Sequence, residues 1–191
     1  MNPETATLQT EIDRLERELA EGRERLAALK RKATRQAVKD YTLAGWNGPV
    51  QLTELFAGKP DLIVVHNMGR GCRYCTLWAD GFNGVYPHLA DRAAFVVCSP
   101  DAVEVQQEFA SGRGWRFPMV SGEESTFIQD MGFRSEKGWM PGVSPFHLEP
   151  TGGVVRVAQA TFGPGDPFCA VWHLFDLLAE GVNEWEPQYT Y

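Results

Sequence analysis

The sequence predicts an α/β domain, a mixed sheet flanked by helices, preceded by an amphipathic helix. Three patterns carry this reading: an apolar seam at helical spacing within residues 8–33, two β-branched apolar runs separated by a helical stretch, and a turn-flanked hairpin followed by a closing apolar helix.

The seam comes first. Leu8, Ile12, Leu15, Leu19, Gly22, Leu26, Leu29 and Ala33 alternate steps of four and three, the a/d pattern of an amphipathic helix. Glu and Arg residues fill the other face. Gly22 weakens the seam at its middle, by about 1 kcal/mol of helix propensity relative to Ala. The seam is expected either to pack on the chain's own domain or to join two copies as a homodimer. The arm is assigned to residues 1–39 and the main domain to 40–191, because the pattern changes after Asp40.

Tyr41-Thr42-Leu43 and Val50-Gln51-Leu52 flank the turn-rich Gly45-Trp46-Asn47-Gly48-Pro49 and predict a lead-in hairpin. Leu62-Ile63-Val64-Val65 and Ala93 to Cys98 read as strands buried on both faces, and Thr76 to Ala90 as the crossover helix between them. That is a right-handed βαβ unit with parallel strands. Ser99-Pro100-Asp101 reads as a cap opening a second helix, which runs toward Ser111. Pro145 to Leu148 and Val154 to Ala160 then predict a hairpin around Pro150-Thr151-Gly152-Gly153. Phe168, Val171, Trp172, Phe175 and Leu178 give the last helix.

At 191 residues and 43% hydrophobic content, the chain can bury one sizeable core. Glu4, Glu11 and Asp13 stand where a signal peptide needs an apolar stretch, so the expected location is cytoplasmic, with no membrane association. The formal charge is −7. Residues 1–39 carry 9 basic and 7 acidic groups, a net of +2, which leaves −9 on the main domain. So acidic a domain disfavours nucleic acid as a partner.

Four cysteines in a cytoplasmic chain do not suggest a disulfide framework. Cys72 and Cys75 form a C-x-x-C at the junction of a buried strand and a helix, the context in which that motif is redox-active. A thiol at a helix N-terminus meets unpaired amides and the positive end of the macrodipole, which favour the thiolate. Cys72 is therefore the expected nucleophile and Cys75, one turn further in, the resolving thiol. Arg70 and Arg73 flank Cys72 and are expected to depress it below its ordinary value of about 8.5; the competing reading makes them solvated surface charges. A zinc site would need Cys72 and Cys75 plus His66, Cys98, Cys169 or His173. No second C-x-x-C or H-x-x-x-H supplies that set, so neither metal nor cofactor is expected. Cys98 and Cys169 read as inert core residues.

The stretch Gly71-Cys72-Arg73-Tyr74-Cys75-Thr76-Leu77-Trp78-Ala79-Asp80-Gly81-Phe82-Asn83-Gly84 resembles the motif of a bacterial thioredoxin-like family labelled domain of unknown function 899. The polar N-terminal helix, Leu52-Thr53-Glu54-Leu55-Phe56 and Gly142-Val143-Ser144-Pro145-Phe146 resemble it too. The segment before Cys72 and the C-terminal tail look shorter than is usual in that group. The resemblance covers the whole chain and implies a thioredoxin-like fold, with no settled substrate.

Compared with thioredoxins, His66 stands six residues before the first cysteine, where they carry a buried acid, and a histidine titrating near neutrality could manage the resolving thiol's proton. The other reading of His66 is a hydrogen-bonded strand-end residue. Asp80 is a second candidate acid, and otherwise a helix-surface one. Ser144-Pro145 resembles the cis proline that faces the cysteine pair in thioredoxin-like domains. Arg73, Tyr74, Trp78 and Pro145 are the expected substrate contacts, while Trp46, Trp115 and Trp139 are weighed between a substrate surface and the core. The lead-in hairpin also resembles peroxiredoxins, but the Pro and Thr that precede a peroxidatic cysteine are absent from Asn67-Met68-Gly69-Arg70-Gly71-Cys72. The expected activity is thiol–disulfide exchange on a protein or small-molecule disulfide. A thiol peroxidase and a redox-silent binding module are the alternatives.

Overall fold

A computed structural model describes residues 3–33 and 35–191. Residues 1, 2 and 34 of the predicted arm lie outside them. The chain divides into two compact units, one ending at Arg35 and one running from Gln36 to Tyr191.

The first unit is a single helix, α1 (Pro3–Lys32). Leu, Ala, Glu and Arg, all strong helix formers, fill it. Glu4 lies in its first turn and Lys30, Arg31 and Lys32 in its last, each complementing the macrodipole. Its seam is exposed, with Leu8 at 60% and Leu29 at 65% of full accessibility.

The second unit is a mixed sheet. Its central strands are β4 (Asp61–His66), β5 (Ala94–Ser99) and β6 (Met119–Ser121), paired in parallel. Between β4 and β5 runs α2 (Arg73–Arg92), and between β5 and β6 runs α3 (Val103–Arg113). On the β6 side a hairpin, β2 (Thr42–Gly45) and β3 (Gly48–Gln51), closes the sheet. The edge beyond β4 is antiparallel: β9 (Gly142–Leu148), then β10 (Val154–Arg156), then β1 (Gln36–Val38). Gln36–Val38, expected in the arm, thus belongs to the sheet. The small ribbon β7 (Arg134–Ser135) and β8 (Gly138–Trp139) stands apart, and β11 (Ala160–Thr161) pairs with β9.

Strand alternation divides the core in two. Leu62, Val64, Val96 and Cys98 face one layer with Phe56, Phe127, Ile128 and Phe133, the first of these from a short 3₁₀ turn and the next two from α4 (Phe127–Asp130). Val65, Phe95 and Val97 face the other, against Cys75, Trp78 and Ala79 of α2, Ala110 of α3, and Trp172 of α5 (Ala170–Phe175). Each fully buried Leu or Val contributes about 1.5–3 kcal/mol over exposure. Helix α2 contains Pro87, which lacks the amide that would bond to the Asn83 carbonyl; Arg116 donates to that carbonyl instead, at 2.9 Å.

The second helix begins later than Ser99-Pro100-Asp101 predicts. The Ser99 hydroxyl is buried and accepts from the Gln106 side-chain amide at 2.8 Å, and α3 starts three residues after Pro100. The closing helix is shorter than its apolar pattern suggests. Asp166 accepts the Phe168 amide at 2.7 Å, holding Phe168 in a turn before α5.

Gly142 opens β9 where a Cβ would lie 2.2 Å from a ring carbon of Phe133 and 2.4 Å from the Ala160 carbonyl oxygen. Because β11 backbone is one of the obstacles, side-chain repacking cannot relieve the overlap. Gly142→Ala should lower the urea midpoint with unchanged slope, a loss of about 1–3 kcal/mol. An unchanged midpoint would contradict this packing.

Candidate redox site

The site is built where β4 runs out. The Asn67 amide still bonds to the Cys98 carbonyl at 2.9 Å, and the Asn67 side-chain oxygen accepts the Gly69 amide at 2.8 Å, turning the chain. Gly69 has a φ of +99°, and a Cβ there would fall 2.7 Å from an Asp101 carboxylate oxygen. That carboxylate accepts the Arg70 amide at 2.7 Å. The loop is therefore clamped from two sides, by Asn67 and by Asp101 of the segment after β5. The Cys72 amide closes the turn onto the Gly69 carbonyl at 3.1 Å.

Cys72 is the N-cap of α2, in extended backbone, and its sulfur accepts the Cys75 amide at 3.0 Å. The first turn is fixed further by the Thr76 hydroxyl and amide, both donating to the Cys72 carbonyl at 3.0 Å. Cys72 is half-buried, while Cys75 is 2% exposed and its sulfur accepts the Met68 amide at 3.4 Å.

The two thiols titrate far apart. Cys72 falls to about 7, chiefly because the Cys75 thiol donates to it and further because the Cys75 and Tyr74 amides point at its sulfur, with burial opposing. Cys75 is pushed well above the ordinary thiol range by the same bond, by burial and by the Cys72 charge, with the Met68 amide opposing. One sulfur is stabilised as thiolate and its neighbour as thiol.

The arginines do not supply that depression. Arg73 pairs with Glu186 of the C-terminal tail at 2.9 Å, which offsets its charge, and Arg70 is exposed. Amide dipoles and a thiol donor take the role expected of the guanidinium groups.

His66 is not where the six-residue spacing suggests. The clusters place Val65 with Cys75 and Trp78, so alternation turns His66 to the opposite face of the sheet. Its ring stacks on Phe133 at 3.9 Å, and its Nε2 pairs with the Ser144 hydroxyl at 3.0 Å. Burial, with Arg156 adding to it, depresses the imidazole to about 3. A group held neutral on the far face cannot take the Cys75 proton near neutral pH.

Pro145 also departs from expectation. It sits inside β9 opposite Ile63, three residues short of the β4 end that leads to the cysteines, and the described residues contain no cis peptide bond. The β9 residue opposite His66 is Gly142, with Pro141 just before it. Trp78, expected to contact substrate, is 3% exposed and packs on Phe162 in the core. Tyr74 is half-buried, stacked on Trp172 at 6.1 Å. Trp115 is buried and donates to Asp80 at 2.7 Å. Asp80 also takes Arg113, tying α2 to the end of α3. Trp46 packs on the α2 layer of the core and Trp139 on the other.

Cys98 and Cys169 are buried, and burial raises both thiols, Cys98 to about 12. Among the described residues no group of three or more His, Cys, Asp or Glu could hold a metal ion. None of the described helices is long and apolar enough to cross a membrane. Sequence reasoning missed Asn67, Asp101 and Glu186. Only Asn67 carried a local signal, as an Asx turn before a glycine.

Residues 6–191 match the family described as "Bacterial protein of unknown function (DUF899)". The chain belongs to this family. No curated protein matches it. Among solved structures, peroxidoxin BcpB from Mycobacterium tuberculosis shares 23% identity over 67% of this chain and 84% of its own, with a TM-score of 0.55. Reduced Prx3 from Vibrio vulnificus, in complex with hydrogen peroxide, shares 16% over 70% and 87%, at 0.56. The Xanthomonas campestris bacterioferritin comigratory protein, described for alkyl peroxide reduction, shares 20% over 63% and 80%, at 0.54. At these identities the likeness establishes the fold, a thioredoxin-like mixed sheet flanked by helices.

Two outcomes follow from the geometry. The alkylation rate of Cys72 should rise with pH through a midpoint near the value of about 7. Replacing Arg70 or Arg73 by Gln should leave that midpoint in place, and a large upward move in Arg73→Gln would restore the arginine account. His66 supplies a second test, since the unfolded imidazole protonates at about 6.5 and the folded one only near 3. The unfolded state then binds the extra proton between these values, so stability should fall by a few kcal/mol as pH drops through that window. His66→Phe should flatten the slope in urea titrations at successive pH values.

Proposed function

We propose that this protein is a thiol–disulfide oxidoreductase in which Cys72 attacks and Cys75 resolves. The observation that carries the reading is the placement of two thiols three residues apart: Cys72, half-buried at the N-cap of α2, accepts the Cys75 amide at 3.0 Å, and Cys75 is buried behind it, an arrangement that favours thiolate on the first and thiol on the second.

The exchange balances in two steps. The Cys72 thiolate attacks one sulfur of a substrate disulfide, forming a mixed disulfide and releasing the other substrate sulfur as a thiolate. Cys75 then loses its proton and attacks the Cys72 sulfur, forming Cys72–Cys75 and releasing the second substrate thiol. The substrate gains two electrons, the pair loses two, and an external dithiol returns it to the starting state. The cytoplasm expected from the sequence would supply such a donor.

The first step prepares the second. The Cys75 thiol is raised most by its bond to Cys72; burial raises it too and persists, whereas that bond and the Cys72 charge depend on the free Cys72 thiolate. Both disappear once Cys72 is held in a mixed disulfide, while the Met68 amide remains to stabilise the Cys75 thiolate. Resolution is thus favoured only after substrate has attached, with water or the departing thiolate taking the proton.

A thiol peroxidase is the second reading, favoured by the likeness of the fold to peroxiredoxins. There Cys72 would reduce a peroxide to an alcohol or water, becoming a sulfenic acid that condenses with Cys75 to release water.

Cys75→Ser should accumulate a mixed disulfide on Cys72 with a model disulfide substrate, and Cys72→Ser should trap nothing. Trapping by Cys72→Ser instead would reverse the roles. Peroxide consumed in step with a dithiol donor, with no turnover of disulfides, would replace the exchange reading by the peroxidase.

A further inference from the structure

We infer that α1 joins two copies of this chain as an antiparallel helix pair. The seam fixes the register. Ile12, Leu19 and Leu26 occupy a positions, continued by Ala33 just past the helix end, where its amide still bonds to the Leu29 carbonyl, and Leu8, Leu15, Gly22 and Leu29 occupy d positions. In an antiparallel pair each a residue faces a d residue of the other copy, and one register fills every layer. Ile12 meets Leu29, Leu15 meets Leu26, Leu19 meets Gly22 and Leu8 meets Ala33, each twice by symmetry. Every Leu and Ile of this seam is at least 44% exposed in the single chain.

Charge selects the direction. The residues flanking the seam at g are Glu11, Glu18, Arg25 and Lys32, and those at e are Gln9, Glu16, Arg23 and Lys30. Both rows are acidic or neutral in the first half and basic in the second. In the antiparallel register, Glu11 lies against Lys32, Glu18 against Arg25, and Glu16 against Arg23 of the other copy. A parallel pair would instead set Glu11 against Glu16 and Arg25 against Lys30, leaving Glu18 against Arg23 as its one attractive pair between them. Sliding the antiparallel pair by one heptad either way sets Glu16 and Glu18, or Arg23 and Arg25, against their own counterparts. Like-charge contacts therefore disfavour the competing arrangements.

Gly22 has a role in this arrangement. Nothing lies within 4 Å of where its Cβ would be, and it floors a groove lined by Leu15, Glu18, Leu19, Arg23 and Leu26. Leu19 of the other copy meets Gly22 at the centre of the pair and fills that groove. Arg14, off the seam, holds Glu11 and Glu18 along one flank through exposed ion pairs that are individually weak.

The test uses the full chain under reducing conditions, with its mass read by sedimentation across a concentration series. A reversible monomer–dimer equilibrium is expected, and a monomer throughout would overturn the inference. Leu19→Glu should be monomeric with unchanged near-ultraviolet circular dichroism and Cys72 alkylation; a persistent dimer would place the interface elsewhere. Glu16→Arg separates the two directions. It turns two attractive pairs repulsive in the antiparallel dimer and should weaken it by about tenfold. In a parallel dimer it relieves two Glu11–Glu16 repulsions, so tighter association would refute the antiparallel arrangement. Glu16→Arg/Arg23→Glu should return the dissociation constant toward its original value, and failure to do so would also refute it.

Discussion

The hydrogen bond from the Cys75 amide to the Cys72 sulfur joins fold to chemistry in this protein. It caps a helix, satisfying one of the amides that any helix start leaves without an intrahelical partner. It also places partial positive charge against a sulfur that must become anionic to react. A cap of Ser or Asn would satisfy the helix equally well. Cysteine adds reactivity at that point, and the rest of the site keeps the sulfur there: parallel strands that deliver the chain to one sheet end, the Asn67 turn, and the Asp101 clamp on the loop.

A second bond to that sulfur, from the Cys75 thiol, makes the two cysteines unequal although they share one turn of helix. Had Cys72 been activated by exposed arginines, its pKa would depend on ionic strength and on the C-terminal tail that holds Arg73. Activation by backbone amides and a neighbouring thiol is fixed by local geometry. The loop must therefore be rigid, and Gly69 at positive φ against Asp101 is the point where the backbone permits that clamp.

Local pattern made some of this legible in the sequence. The β4 run Leu62–Val65 declares itself because both faces are buried, and the cysteine pair follows from its place between that strand and α2. Contacts between distant segments were not legible. Arg73 reads as a free cation until Glu186, 113 residues later, folds onto it. Asp101 reads as part of the opening of a helix until β5 brings it beside the Arg70 amide. His66 is the instructive failure, because its spacing to Cys72 was counted across a turn, while its side-chain direction is set within the strand. Val65 points into the α2 layer, so its neighbour must point away. Ser99 fails differently, since its hydroxyl is captured by Gln106 from α3.

The charges of α1 show how a pattern with two explanations can be resolved. Acidic residues early and basic residues late are what any helix prefers, because they complement its dipole. That preference fades within the first and last turns, which accounts for Glu4 and for Lys30 to Lys32. It does not account for Glu16, Glu18, Arg23 and Arg25, which lie in the middle. Nor is the segregation general to the helix. Away from the seam and its flanks, Asp13, Arg14, Arg17, Glu21, Glu24 and Arg31 mix signs along the length. Only the two rows bordering the apolar seam separate acid from base, so the separation belongs to whatever covers that seam. A second copy running the opposite way presents the complementary order on both flanks at once, which no uniformly charged surface could do.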